Sequence, residues 1–265
     1  VHWISSMKPI FTSINALNSK TSLFYDPKRL DSDNTGPFII ICDDFYDDPL
    51  AVRQLALAQI FFQYKPPLAA QVGDDIAAEY DASKMVWESS SLLRYLGKTV
   101  AEPEPGYRHA TSEVREALAN VINEHIVTDT WHAMGDWWNG AFHLQYEAGE
   151  NVHRVIHHHY REGDISPRGW SGLVYLSPNA PKQYGTTIWR DKKTSRCIAS
   201  KGNKYDADIS QFELMLSIEN KFNRLVLFRE NVLHRAGHGF GYTPETARLM
   251  QTFFFQSNAE GPPSL

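Results

Sequence analysis

Residues 151–190 read NVHRVIHHHYREGDISPRGWSGLVYLSPNAPKQYGTTIWR. This stretch carries four histidines within seven residues (His153, His157, His158 and His159), then an apolar run WSGLVYL, then a Gly-Thr-Thr turn. Strand side chains alternate between faces, so His153, Val155, His157 and His159 share one face, and Arg154, Ile156, His158 and Tyr160 share the other. An i, i+2 histidine pair on an inward face brings two imidazoles to one ion, and a third ligand must then come from elsewhere. The pattern predicts a metal site inside a β-barrel.

Working outward, the chain after Asn139-Gly140 breaks into short β-like runs separated by turns. The expected strands are 141–146, 152–160, 169–176, 186–190, 224–229 and 248–256. Evenly punctuated short strands without βαβ alternation point to a sandwich or barrel. Before them, PFIIIC at 37–42 reads as a buried strand. Asp48-Pro49 reads as a helix start running to about Phe62, with a side-chain acceptor followed by proline at the first helical position. A second helix is expected over 112–126, with Val114, Leu118, Val121, Ile122 and Ile126 on one stripe. Residues 63–105 read as a long loop with short helices. The expectation is therefore an α+β, mainly β fold with one domain over 1–265. Residues 1–138 supply an N-terminal strand, helical support and loops, and 139–257 the core.

Bulk composition removes several classes. Across 265 residues, 42% are hydrophobic and 12% aromatic, enough for a sizeable core and unlike a disordered chain. A formal charge of −5 argues against a nucleic-acid surface, which needs clustered Lys and Arg. The two cysteines, Cys42 and Cys197, form neither a disulfide framework nor a CxxC site, and point to a reducing, cytoplasmic setting. The first residues, VHWISSMKPIF, lack an initiator Met and the apolar core of a signal peptide, and read as a trimmed end. No apolar run reaches membrane-spanning length.

Two further residues extend the histidine cluster. His234 follows the apolar run in FNRLVLFRENVLHRAGHGFG and is the best candidate for the third ligand. Imidazole ligands with open positions suit a divalent iron. Arg248 opens RLMQTFFF, a lone cation entering an inward-looking strand, and its planar fork suits a carboxylate.

Taken together, these features resemble the iron(II)- and 2-oxoglutarate-dependent dioxygenase superfamily, in its prolyl-4-hydroxylase-like branch. The features are LQYEAG (144–149), the His157 region, WSGLVYLSPNAP, Gly185-Thr186-Thr187, NRLVLF, His234, and Arg248 fourteen residues later. The N-terminal IIICDDFYDDP looks like the opening of a bacterial and phage subgroup. The resemblance implies a double-stranded β-helix (jelly roll, cupin-like) with Fe(II), 2-oxoglutarate and O2 as cofactors. It implies hydroxylation of an unactivated C–H bond in a small amino-acid-like or peptide substrate. By the same resemblance His157 and His234 are metal ligands, Arg248 binds the distal carboxylate of 2-oxoglutarate, Tyr146 lies near that carboxylate, and Thr187 and Trp189 line the pocket.

The sequence departs from the family at one position. His-x-Asp or His-x-Glu is the family pattern, and here it is His157-His158-His159. Three readings stay open: His159 is the third ligand; Glu162 or Asp164 reaches back as a carboxylate; or the position is vacant, as in related halogenases that admit chloride. Against these stand plainer readings. His109, His125, His132 and His143 read as hydrogen-bonded structural residues, and His153 and His158 as pocket wall or surface. Arg248 could be one half of a buried ion pair, and a β-roll that binds a metal or small ligand without turnover is the non-enzyme alternative.

Overall fold

The computed structural model describes residues 21–24, 38–59, 61–63, 87–89, 110–131, 139–147, 155–159, 169–199 and 208–258. Expectations for His109, His132, His153, Tyr160, Glu162 and Asp164 fall outside these residues.

The described strands form two antiparallel sheets. The larger runs in the order β1 (Thr21–Phe24), β2 (Ile39–Cys42), β10 (Leu225–Arg229), β7 (Gly169–Tyr175), β12 (Arg248–Asn258), β6 (Phe142–Gln145), β4 (Trp87–Ser89) and β3 (Phe62–Gln63). A short β5 (His125–Ile126) also pairs with β12. The smaller sheet is β11 (His234–Ala236), β8 (Thr186–Asp191) and β9 (Phe212–Ile218). Among the described residues, no helix is long and apolar enough to cross a membrane.

Strand parity sorts the apolar residues of the larger sheet into two layers. Leu225, Leu227, Trp170, Val174, Leu249 and Phe253 point to one side, against helix α1 (Pro49–Leu57) and helix α2 (Ser112–Ile122). Val226, Phe228, Ile39 and Tyr175 point to the other, where they meet Ile188 and Ile218 of the smaller sheet. At one end of the smaller sheet, just after β11 and just before β8, backbones touch. A Cβ on Gly237 would lie 2.3 Å from the carbonyl oxygens of Tyr184 and Gly185, so only glycine fits there.

Both helices are shorter than their apolar patterns predict. α1 starts as expected, with the Asp48 side chain accepting from the Ala51 N–H at 2.9 Å, and it buries Val52 and Ala56. It stops at Leu57 because Phe62 and Gln63 are drawn into the sheet against β4. α2 buries Val114, Leu118, Val121 and Ile122 as expected and ends where Asn123 adopts a left-handed conformation, φ 53°. Ile126 is buried all the same, from β5 rather than from the helix. A last short helix, α3 (Thr128–Trp131), seats Trp131 against Phe253 and Phe255.

Six strands lay outside the sequence expectation: β1, β3, β4, β5, β9 and β11. β1 and β9 are sheet edges, and most side chains of β9 are exposed, so no burial pattern marks it. β11 is three residues long, too short for any periodicity.

Leu227 is fully buried in the central strand β10 on the helix side. Its replacement by alanine should cost about 3 kcal/mol of unfolding free energy. Urea denaturation measures it, and a loss below about 1 kcal/mol would mean that this layer is not the core.

Candidate metal centre

The short segment around His157 lies beside β11. His157 and His234 are directly opposed, and each backbone N–H donates to the other's carbonyl at 2.9 Å. Opposed residues of an antiparallel pair project to the same face, so this bridge aims both imidazoles to one side. Two residues later the His159 N–H donates to the Glu230 carbonyl at 2.7 Å, and the period of two returns its ring to the same face. Ile156, of opposite parity, packs away from the site with Leu233 and Trp189.

The donor atoms of His157, His159 and His234 all lie within 4.8 Å of one another. The Nε2 atoms of His159 and His234 are 3.1 Å apart. Two imidazole nitrogens at about 2.1 Å from a first-row ion and at right angles would stand about 3.0 Å apart, so this spacing fits a shared ion. Among the described residues, no carboxylate joins the three histidines.

Backbone carbonyls select the tautomers. His157 Nδ1 sits 3.2 Å from the Val155 carbonyl, and His234 Nδ1 sits 2.8 Å from the Val232 carbonyl. A carbonyl only accepts, so each Nδ1 carries the proton and each Nε2 presents a lone pair. Burial reinforces the neutral state. It depresses the His157 pKa to about 4, with a smaller contribution from His158. Burial also holds the His234 pKa well below its ordinary value, helped by His157. Phe228 covers the His234 ring at 4.3 Å, and Phe254 meets the His159 ring edge-on at 5.0 Å.

A charged side chain lies on the inward face of the larger sheet. Arg248 is 0% exposed. Its Nη1 donates to Gln145 Oε1 at 2.6 Å, while Nε and Nη2 are buried without a hydrogen-bond partner. Its guanidinium carbon is 5.6 Å from the centre of the Tyr175 ring, and the Tyr175 hydroxyl is 2.8 Å from Thr186 Oγ1. Desolvation lowers the Arg248 pKa, and Tyr175 partly offsets this. Among the described residues, no carboxylate forms an ion pair with Arg248.

The structure brings His157, His159 and His234 together and sets Arg248 on the neighbouring sheet face. Three other residues singled out in the sequence lie elsewhere. Tyr146 follows Gln145 by one position and packs with the helix-side core, so Gln145 rather than Tyr146 meets Arg248. Thr187 and Trp189 share the outer face of β8, where Trp189 Nε1 donates to Thr187 Oγ1 at 2.9 Å. Thr186 and Ile188 take the inward positions. Gln145, Tyr175 and Thr186 are thus site neighbours the sequence reading passed over. Strand parity carried forward from Arg248 and its partner Gln145 would have found them.

No family model and no curated protein matches the chain. Solved structures to which the chain shows a distant likeness include the epimerase SnoN in complex with Fe3+, alpha ketoglutarate and nogalamycin RO. That likeness has a TM-score of 0.44 and 9% identity, over 83% of this chain and 78% of that one. HygX from Streptomyces hygroscopicus, with nickel and 2-oxoglutarate bound, aligns at TM-score 0.40 and 10% identity, over 84% of each chain. EvdO2 from Micromonospora carbonacea var. aurantiaca, complexed with 2-oxoglutarate, aligns at TM-score 0.36 and 12% identity, over 85% of this chain and 90% of that one. At such values a likeness does not fix chemistry, which has to come from this chain's own side chains.

The depressed His157 pKa makes a stability prediction. Between an ordinary imidazole pKa near 6.5 and the folded value of about 4, the unfolded chain binds more protons than the folded one. Stability should therefore be lost as pH falls through that window. Thermal melts of the metal-free protein should show Tm dropping from pH 6.5 towards 4, with a shallower drop in His157→Gln. Identical slopes would show that His157 is not buried in its neutral form.

Proposed function

We propose that this chain is an Fe(II)- and 2-oxoglutarate-dependent oxygenase on a double-stranded β-helix. In this reading it hydroxylates an unactivated C–H bond of a small amino-acid-like or peptide substrate. One observation carries the reading. Three histidine donors lie within 4.8 Å of one another, and the inward face of the larger sheet holds a fully buried arginine with two guanidinium nitrogens lacking a hydrogen-bond partner. A metal-binding protein without turnover would need the first feature but not the second.

The donor set fits the ion. Three neutral imidazoles leave the double charge of the metal uncompensated, which favours an anionic chelator in the remaining positions. The arginine end fits the other half of such a chelator, since a distal carboxylate would satisfy the buried guanidinium. When bound, iron and 2-oxoglutarate supply oxygen activation coupled to decarboxylation, with succinate and carbon dioxide as products. The rest is the work of this chain. His157, His159 and His234 bind; the Val155 and Val232 carbonyls hold two of the rings in the ligating tautomer. Phe228 and Phe254 exclude water from the histidine end. Arg248, with Gln145 and Tyr175, orients the distal carboxylate.

His159 is the third ligand in this proposal. Its ring is held by Phe254 and His157, and the vacancy a halogenase needs would require it to leave that position. Residues 139–257 form the catalytic unit and 1–138 its support. Tyr146, Thr187 and Trp189 act behind the pocket wall rather than on the cofactor.

Anaerobic addition of Fe(II) and 2-oxoglutarate should produce a visible metal-to-ligand charge-transfer band. His157→Ala and His234→Ala should abolish it. Arg248→Ala should keep metal binding and weaken 2-oxoglutarate by about 30-fold, the worth of a charge-assisted hydrogen bond. Absence of the band at any concentration defeats the proposal. A chlorinated product formed only with chloride would replace hydroxylation by halogenation.

A further inference from the structure

Ser171 breaks the apolar pattern of β7 at an informative place. It is 1% exposed, and its hydroxyl is buried with no hydrogen-bond partner. Its cross-strand neighbours are Phe228 on β10 and Phe254 on β12. Directly opposed residues share a face, so the serine hydroxyl projects between those two rings. Phe228 lies tilted against the His234 ring, and Phe254 meets His159 edge-on. Ser171 therefore sits in the floor beneath the histidine cluster, in otherwise aromatic surroundings.

A hydroxyl buried without a partner is destabilising, and alanine would fill the same place without that cost. The inward face of β7 shows what the cost serves. Along it come Ser171, Leu173 and Tyr175: a hydroxyl at the histidine end, an apolar side chain, and a phenol at the Arg248 end. Four residues of strand separate the two ends, about 13 Å between Cα atoms. This polar–apolar–polar order matches a ligand with an anionic group at each end and methylenes between.

We propose that Ser171 is a positioning residue whose hydroxyl donates a hydrogen bond to the ion-bound carboxylate end of a chelating 2-oxo dicarboxylate. This rests on the metal and co-substrate reading above and adds to it a donor for the proximal end, opposite Arg248 at the distal end. By orienting that carboxylate on the ion, Ser171 would set which coordination position the ligand leaves open.

The test uses Ser171→Ala in the full chain, with three readouts. In the metal-free state the variant should melt at or above the wild-type temperature, because it removes an unsatisfied buried group. Fe(II) affinity should be unchanged. Anaerobic titration with 2-oxoglutarate should show binding weakened at least about tenfold, with a shifted charge-transfer maximum. If the variant melts lower while its 2-oxoglutarate affinity and spectrum stay at wild-type values, Ser171 is structural and the inference is overturned. Unchanged affinity with an unchanged melt overturns it as well. Failure of the wild-type protein to give the band would instead sink the function proposed above.

Discussion

Two backbone hydrogen bonds between His157 and His234 are the constraint on which the site depends. The residues lie seventy-seven positions apart; His234 opens a three-residue strand, and His157 pairs with it through an isolated bridge. A reciprocal antiparallel pair fixes register, and register fixes which side chains face inward. A slip of one residue would aim Ile156 and Leu233 at the pocket and turn the histidines into the small cluster behind it. The buried packing of Ile156, Leu233 and Trp189 resists that slip, so an apolar contact on the outer face holds polar ligands on the inner one. The same few residues serve both.

The larger sheet is asymmetric in a way that mirrors this. Its helix-facing side is mostly apolar, with Leu225, Leu227, Trp170 and Phe253 closed over by α1 and α2. Its inward side mixes apolar residues with Ser171, Tyr175, Gln145 and Arg248. Burying a guanidinium without a carboxylate is costly, and a protein of marginal stability tolerates it only where the rest of the layer compensates. The helix-side core is that compensation. The inward polar residues lie at the two ends of the sheet's central strands, one group by the histidines and the other by Gln145. That distribution is why the pocket reads as a two-ended site rather than as a patch.

Much of this was legible in advance. The alternation of His157 and His159, the apolar runs of β7, β10 and β12, and the cap at Asp48 follow from local rules, and the structure bears them out. Errors arose where a rule was carried one residue too far. Tyr146 was expected at the arginine, yet it follows Gln145 by one and so faces the helices. Thr187 and Trp189 were expected in the pocket, yet Thr186 and Ile188 hold those positions. Both slips have one cause. A motif carried over from a resemblance gives the right strand, but only the pairing register gives the face. The helix ends failed differently: α2 kept its predicted stripe until a left-handed Asn123 ended it, and no periodicity foretells where a neighbouring strand will recruit the chain.

Local residue patterns were enough for the mainly β architecture, the central strands β7, β10 and β12, the two helix starts, and which histidines share a parity. These depend on neighbours within a few residues, where alternation and capping act. Tertiary structure alone decided that His159 Nε2 meets His234 Nε2 and that no described carboxylate joins them. It also decided that Arg248 lies buried against Gln145 and that Ser171 stands unpaired between two phenylalanines. Each of those is a contact between strands distant in the chain. Such contacts are set by register and by burial, and neither is written in any local stretch of residues.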